Sequence, residues 1–184
     1  MIGIFIGSFN PPTLAHIEIA KILSKKYNQV IFVPVNSREK HLKSLNDRVA
    51  MLRIIKRKNP FIIVDDIMKN YSYLNYRIID ILKRKYHNIE LILGSDLLVK
   101  LNSFDNYEYL LKNYSFMVVS RNNIDDKKIV QEKYPDYVGH FHYLKYQNEI
   151  SSTLVRELIQ KNESVGNLID CDVYGFIRKN NLYF

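Results

Sequence analysis

Thr13 and His16 stand three residues apart, directly after Pro11-Pro12 and the apolar run Ile2-Gly3-Ile4-Phe5-Ile6-Gly7. That spacing puts both on one face of a helical turn, and the proline pair stiffens the start of the helix. The free N–H groups and dipole of a helix start attract anions. A protonatable imidazole beside the positive end of a dipole is unfavourable by roughly 0.3–1 kcal/mol. Its placement makes sense if a phosphate sits there. Gly7, where the strand-like run ends, permits close approach to the backbone.

A second set lies far along the chain, in Ile150-Ser151-Ser152-Thr153-Leu154-Val155-Arg156. Ser152 or Thr153 would serve as a helix cap. Neither has an acid three residues on, so the stretch is no ordinary capping box. Arg156 reads as a cation in a first helical turn, where it opposes the dipole. Hydroxyls, free N–H groups and a guanidinium converging on one spot describe a polyphosphate clamp.

Three further regions could touch a ligand. The run Leu91-Ile92-Leu93 ends in Gly94-Ser95-Asp96. Gly94 admits a bulky group, and Asp96 either accepts hydrogen bonds from ribose hydroxyls or caps the following turn. The loop Pro34–His41 carries Asn36, Arg38, Lys40 and His41, suited to a phosphate on a second substrate, and Arg48, at the opening of the next helix, is placed to reach the same site. Ser72-Tyr73, read as the start of a helix, and Phe104 with Tyr107 offer ring faces for stacking on a base. His140 and His142 alternate along a strand pattern, but a zinc site needs three or four converging ligands. Asp65-Asp66 reads as a capped turn, and nothing supports a dedicated metal site of protein ligands alone.

The elements that must position these residues alternate in type. Apolar strand patterns fall at 1–7, 29–35, 61–65, 89–94, 115–120 and 138–144, and helical patterns near 13–26, 45–58, 72–86, 105–112, 126–134, 151–161 and 168–179. Residues 45–58 illustrate the period: Leu45, Val49, Leu52 and Ile55 recur on one face while Asp47, Arg48, Arg53 and Lys56 point elsewhere. Strands separated by helices imply right-handed crossovers. The expected fold is α/β and Rossmann-like: a doubly wound, mainly parallel sheet with helices on both faces. Ligands then gather beyond the carboxyl ends of the strands, where the winding reverses.

At 184 residues, 47% hydrophobic and 25% charged, the chain reads as a single globular domain over 1–184. No apolar run reaches membrane-spanning length. Cys171 is the only cysteine, which excludes an internal disulfide, suits a reducing cytoplasm and suggests a small core residue. The net charge of +8 fits general attraction of anions, with Lys56-Arg57-Lys58 and Lys83-Arg84-Lys85 at helix ends rather than in a nucleic-acid track. No stable nucleic-acid or membrane partner is expected, and a homo-oligomer is compatible with the composition.

The run Gly7-Ser8-Phe9-Asn10-Pro11-Pro12-Thr13-Leu14-Ala15-His16 resembles the signature of the nucleotidyltransferase superfamily, Gly-x-Phe-x-Pro followed by His or Thr, two residues and His. Residues 150–156 resemble its second signature, Ile-Ser-(Ser/Ala)-Thr-x-x-Arg. The likeness extends to Val173-Tyr174-Gly175-Phe176-Ile177 and is strongest to nicotinate and nicotinamide mononucleotide adenylyltransferases. Thr at position 13 is the form more often met in nicotinamide enzymes, since bacterial nicotinate enzymes usually carry His there. The resemblance implies transfer of an adenylyl group from ATP, accompanied by Mg²⁺, to a pyridine mononucleotide, in NAD synthesis. It assigns His16, Thr13 and Arg156 to catalysis. ATP falls to Gly7, Ser8, Phe9, Gly94, Asp96, Ser151, Ser152 and Thr153, and the acceptor to Asn36, Lys40, His41, Ser72, Tyr73 and Phe104. Those enzymes carry Ser-Tyr-Thr where this chain has Ser72-Tyr73-Leu74, and a Trp near Phe104, so ring selectivity is left open. Alternatives are another phosphorylated acceptor such as phosphopantetheine, the use of CTP, or a nucleotide- or RNA-binding module without turnover.

Overall fold

The computed structural model describes residues 1–36, 42–120 and 124–184. Six strands form one sheet: β1 (Ile2–Gly7), β2 (Gln29–Pro34), β3 (Ile62–Val64), β4 (Ile89–Gly94), β5 (Phe116–Ser120) and β6 (Phe141–Lys145). Every pairing is parallel and the spatial order is β3-β2-β1-β4-β5-β6. The winding therefore reverses between β1 and β4. Phe5 faces Ile92 across that seam, and two residues further on both strands end in glycine, Gly7 and Gly94.

Successive strand side chains point to opposite faces, and both faces are covered. Phe5, Val30, Phe32, Ile92, Met117 and Val119 pack beneath helices α1 (Leu14–Leu23), α2 (Leu45–Lys58), α7 (Ser152–Gln160) and α8 (Cys171–Lys179). Ile4, Ile6, Ile31, Val33, Leu91, Leu93, Phe116 and Val118 pack against α3 (Tyr76–Tyr86), α4 (Ser95–Val99), α5 (Tyr107–Asn113) and α6 (Asp126–Lys133). Burial on both faces explains why the strands read as continuous apolar runs. The sheet, its direction and its layers match the sequence expectation. Among the described residues, no helix is long and apolar enough to cross a membrane.

Four local expectations are corrected. Helix α3 begins at Tyr76 rather than at residue 72, because the Asn75 side chain accepts the Ile78 N–H at 3.3 Å and caps it there. Ser72 and Tyr73 lie in the preceding bend. Strand β6 starts at Phe141 rather than 138, since Pro135 opens a 3-10 turn that runs to His140. Cys171 is exposed, not core: Asp170 caps α8, and the thiol at its first residue faces Lys58. His140 ends that turn with its ring on the Leu111 carbonyl, while His142 on β6 meets Glu90. The two histidines therefore serve separate partners, and no third ligand joins either among the described residues.

Candidate active site

The turn from Ser8 to Thr13 leaves β1 at the seam and is anchored from below. Phe9 adopts a left-handed backbone (φ 47°) and drives its ring into the core, stacked on Phe32 at 4.9 Å and edge-on to Phe5 at 5.5 Å. A Cβ on Gly7 would come within 3.0 Å of that ring. The glycine thus makes room for Phe9 as well as leaving its backbone open. The Asn10–Pro11 peptide is cis.

Thr13 is fully buried and stands at the N-cap of α1. Its backbone N–H donates to His16 Nδ1 at 3.0 Å, and its hydroxyl lies 2.8 Å from the same nitrogen. A nitrogen that accepts an N–H carries no proton, so the geometry assigns the imidazole proton to Nε2. Phe9 flanks the ring edge-on at 5.1 Å. This is a capping box in which a histidine replaces the usual acid, and it fixes both the ring's plane and its tautomer.

The second helix start docks on the same turn. Ser151, not Ser152 or Thr153, caps α7 by accepting the Leu154 N–H at 3.1 Å. That leaves Ser152 Oγ to donate to the Pro11 carbonyl at 2.7 Å. Arg156 is the fifth residue of α7, one step past the first turn, and its guanidinium reaches back toward the helix start. One nitrogen donates to the Asn10 carbonyl at 2.7 Å and another to Thr153 Oγ1 at 3.2 Å. Two bonds from α7, to the Pro11 and Asn10 carbonyls, thus bring its start onto the turn that leads into α1, some 140 residues earlier in sequence.

Beneath this turn lies Arg48, 1% exposed. Its guanidinium donates to the carbonyls of Ser8 (2.8 Å), Val35 (2.9 Å) and Lys43 (3.1 Å) and to Asn36 Oδ1 (2.7 Å). Burial lowers its pKa, opposed by the nearby Tyr183. Arg48 braces the loops after β1 and β2 rather than projecting to a ligand. Asn36, held by Arg48, belongs to the second of these loops; Lys40 and His41 lie outside the described residues.

At the end of β4, Ser95 is buried and donates to Asp126 Oδ2 at 3.1 Å. Asp96 is exposed at the first turn of α4, its Oδ1 only 2.8 Å from where a Gly94 Cβ would stand. Phe104 and Leu74 line a small apolar cavity of about 20 Å³ with Ile6, Leu93 and Leu97. The Phe104 ring therefore belongs partly to the core, whereas Ser72 and Tyr73 are exposed.

Asn10 and Tyr183 escaped the sequence reading. Asn10 is 2% exposed and ties together Lys43, Arg156 and Tyr183. The amide sat inside the first motif, but its partners lie 33 to 173 residues away.

Among the described residues, the one group of three potential metal-binding side chains is Asp170, Cys171 and Asp172, whose ligand atoms lie within 4.8 Å of one another. These atoms could hold a divalent ion, but the Lys58 ammonium lies 2.9 Å from Asp170 and 2.7 Å from Asp172. Around the Asn10-Pro11 peptide the side chains are hydroxyls, an imidazole and a guanidinium, a donor set for phosphate oxygens rather than for a metal ion.

A parallel sheet with two helix starts focused on one turn at its winding reversal is the architecture of a nucleotide-handling enzyme. The cytidylyltransferase-like family model matches residues 4–158. A probable nicotinate-nucleotide adenylyltransferase of Carboxydothermus hydrogenoformans is 32% identical, with 99% of this chain and 97% of that protein aligned. One of the same name from Clostridium perfringens is 31% identical, covering 99% and 97%. The solved structure of Plasmodium falciparum nicotinic acid mononucleotide adenylyltransferase, complexed with NaAD, superposes with a TM-score of 0.78 at 23% identity, covering 99% of this chain and 96% of that one. The chain belongs to the cytidylyltransferase-like nucleotidyltransferases, and within them to the nicotinate-nucleotide adenylyltransferase family.

Proposed function

We propose that the chain joins ATP to nicotinate mononucleotide, forming the dinucleotide and releasing pyrophosphate. The adenylyltransferase activity toward a pyridine mononucleotide, in NAD synthesis, is that of its family. The choice of nicotinate over nicotinamide rests on the relatives that align along the full chain. The observation that carries the mechanism is the meeting of the His16 and Arg156 helices at Asn10-Pro11.

The attacking group, a phosphate monoester, is ionised at neutral pH, so the reaction needs no general base and no protein nucleophile. Catalysis reduces to alignment and charge stabilisation. His16, held at Nδ1 by Thr13, donates its Nε2 proton to an α- or β-phosphate oxygen as charge grows. Arg156 neutralises the departing pyrophosphate, and the backbone from Gly7 to Phe9 and the α7 start with Ser151, Ser152 and Thr153 cradle the phosphates. Gly94 and Asp96 hold the adenosine half. Asn36, Lys40, His41, Ser72, Tyr73 and Phe104 form the acceptor side. Mg²⁺ bound to ATP would add to the neutralisation of phosphate charge. We place the reaction in the cytoplasm, where the exposed Cys171 thiol stays reduced.

Pyrophosphate release with ATP and each mononucleotide in turn tests the reading. Nicotinate mononucleotide should give the higher kcat/KM. Equal or inverted preference would reassign the acceptor ring, and no dinucleotide from either would force a different acceptor.

A further inference from the structure

Tyr183, the penultimate residue, is 5% exposed, and its hydroxyl donates to Asn10 Oδ1 at 2.7 Å. The same oxygen accepts the Lys43 N–H at 3.1 Å, so the Asn10 side chain is held from two directions. The carbonyl of Asn10 in turn receives Arg156 Nη1 at 2.7 Å. The other bond of that guanidinium goes to Thr153, within its own helix. Among the described residues, Asn10 is therefore the hydrogen-bonded contact that fixes Arg156 relative to the turn carrying Thr13 and His16.

The phenol has little freedom to do anything else. The Leu182 N–H is bound to the Ile177 carbonyl at 3.0 Å, and Leu182 and Tyr183 both belong to the core under α8. Lys43 Nζ lies 5.6 Å from the ring centroid. Burial raises the Tyr183 pKa, Arg156 and Arg48 pull it down, and Asp47 pushes it up. A neutral donor is what this place needs, because a carboxylate there would draw the Arg156 charge away from an incoming phosphate.

We propose that Tyr183 is a positioning residue for Arg156, acting through the Asn10 amide. The C-terminal segment thus sets the aim of the cation that meets departing pyrophosphate. This rests on the adenylyl-transfer reading above. A phenylalanine would fill the same volume, so packing alone leaves the hydroxyl unexplained.

The test is a double-mutant cycle on kcat/KM for ATP using Tyr183→Phe, Arg156→Lys and their combination. Tyr183→Phe alone should lower kcat/KM about five- to tenfold, the scale of one buried hydrogen bond. In the Arg156→Lys background the same change should cost less than about twofold, because the group it aims has been replaced. Equal losses in both backgrounds would overturn the proposal, leaving a purely structural role. A second readout is independent of turnover: the Arg156 Nε–H resonance should move in Tyr183→Phe, and an unmoved signal also overturns it. If Tyr183→Phe does not fold, 3-fluorotyrosine at position 183 keeps the phenol and strengthens the hydroxyl as a donor, at the cost of one added ring fluorine. The same resonance should then shift, and its constancy counts against the assignment. Wild-type protein that makes no dinucleotide sinks the parent reading, whereas active wild type with an additive cycle sinks this inference alone.

Discussion

Two buried ionisable side chains at opposite edges of the sheet, Glu90 and Arg48, are treated in opposite ways. Near the amino edge, Glu90 on β4 accepts hydrogen bonds from Tyr27 (2.6 Å) and His142 and an ion pair from Lys26 (2.8 Å). At the carboxyl edge, Arg48 is just as buried, yet its partners are three carbonyls and an amide, with no carboxylate among the described residues. Charge meets charge around Glu90, whereas neutral dipoles alone hold Arg48. A buried cation held by neutral dipoles keeps its field available to an anion above it, whereas a paired carboxylate does not. On the proposed function, the contrast separates a part of the molecule that serves stability from a part that meets polyphosphate.

That contrast can be broken or sharpened by substitution. The largest effect is expected for His16→Ala, which removes the Nε2 donor at the carboxyl edge. Turnover should fall by about 10²–10³-fold with much less change in nucleotide binding. Equal losses in kcat and in ATP affinity would reduce His16 to ground-state binding. Arg48→Met should act on both stability and rate, because it strands the Ser8, Val35 and Lys43 carbonyls. Melting should reveal a loss of about 2–3 kcal/mol, together with a roughly tenfold fall in kcat/KM as the two loops separate. A stability loss with unchanged kinetics would erase the distinction between the edges.

Glu90→Gln should touch stability alone, by about 2 kcal/mol at neutral pH, with kcat and KM unaltered. Burial alone would raise the Glu90 pKa, but the hydrogen bonds from Lys26, Tyr27 and His142 outweigh it and hold the carboxyl below its ordinary value. A depressed folded-state pKa contributes stability that is complete above the unfolded value of 4.5 and disappears as pH falls through the folded one. Acid unfolding followed by circular dichroism should therefore be shallower below pH 4.5 in the variant than in the wild type.

The sequence made the scaffold and the two helix starts legible because both are local signals. Helix α2 was readable end to end from its apolar period and from the basic last turn of Lys56, Arg57 and Lys58. The strands announced themselves as uninterrupted apolar runs, and Thr13, His16, Ser151 and Arg156 sat within motifs of ten residues or fewer. What periodicity could not show was how these pieces interlock. Tyr183 reaches Asn10 across 173 positions and Arg156 reaches it across 146, and no spacing rule reports on such pairs. Arg48 reads as a polar position off the apolar face of α2, placed to reach a ligand, yet it is 1% exposed, because the acceptors that satisfy it come from two other loops. The start of α3 was misplaced for a smaller reason: Asn75, not Ser72, supplies the cap, and both residue types are suitable.

Arg48 also bears on how the two substrates meet. One planar group, rigid by resonance, is bolted at once to the carbonyl after Gly7 and to the last carbonyl before Asn36. On the proposed assignment, the segments that meet the donor's phosphates and the acceptor are held together at Ser8 and Val35 by that plane. If the two substrates bind there, folding itself sets the gap between nucleophile and phosphorus, and neither ligand has to spend its affinity assembling the other's berth.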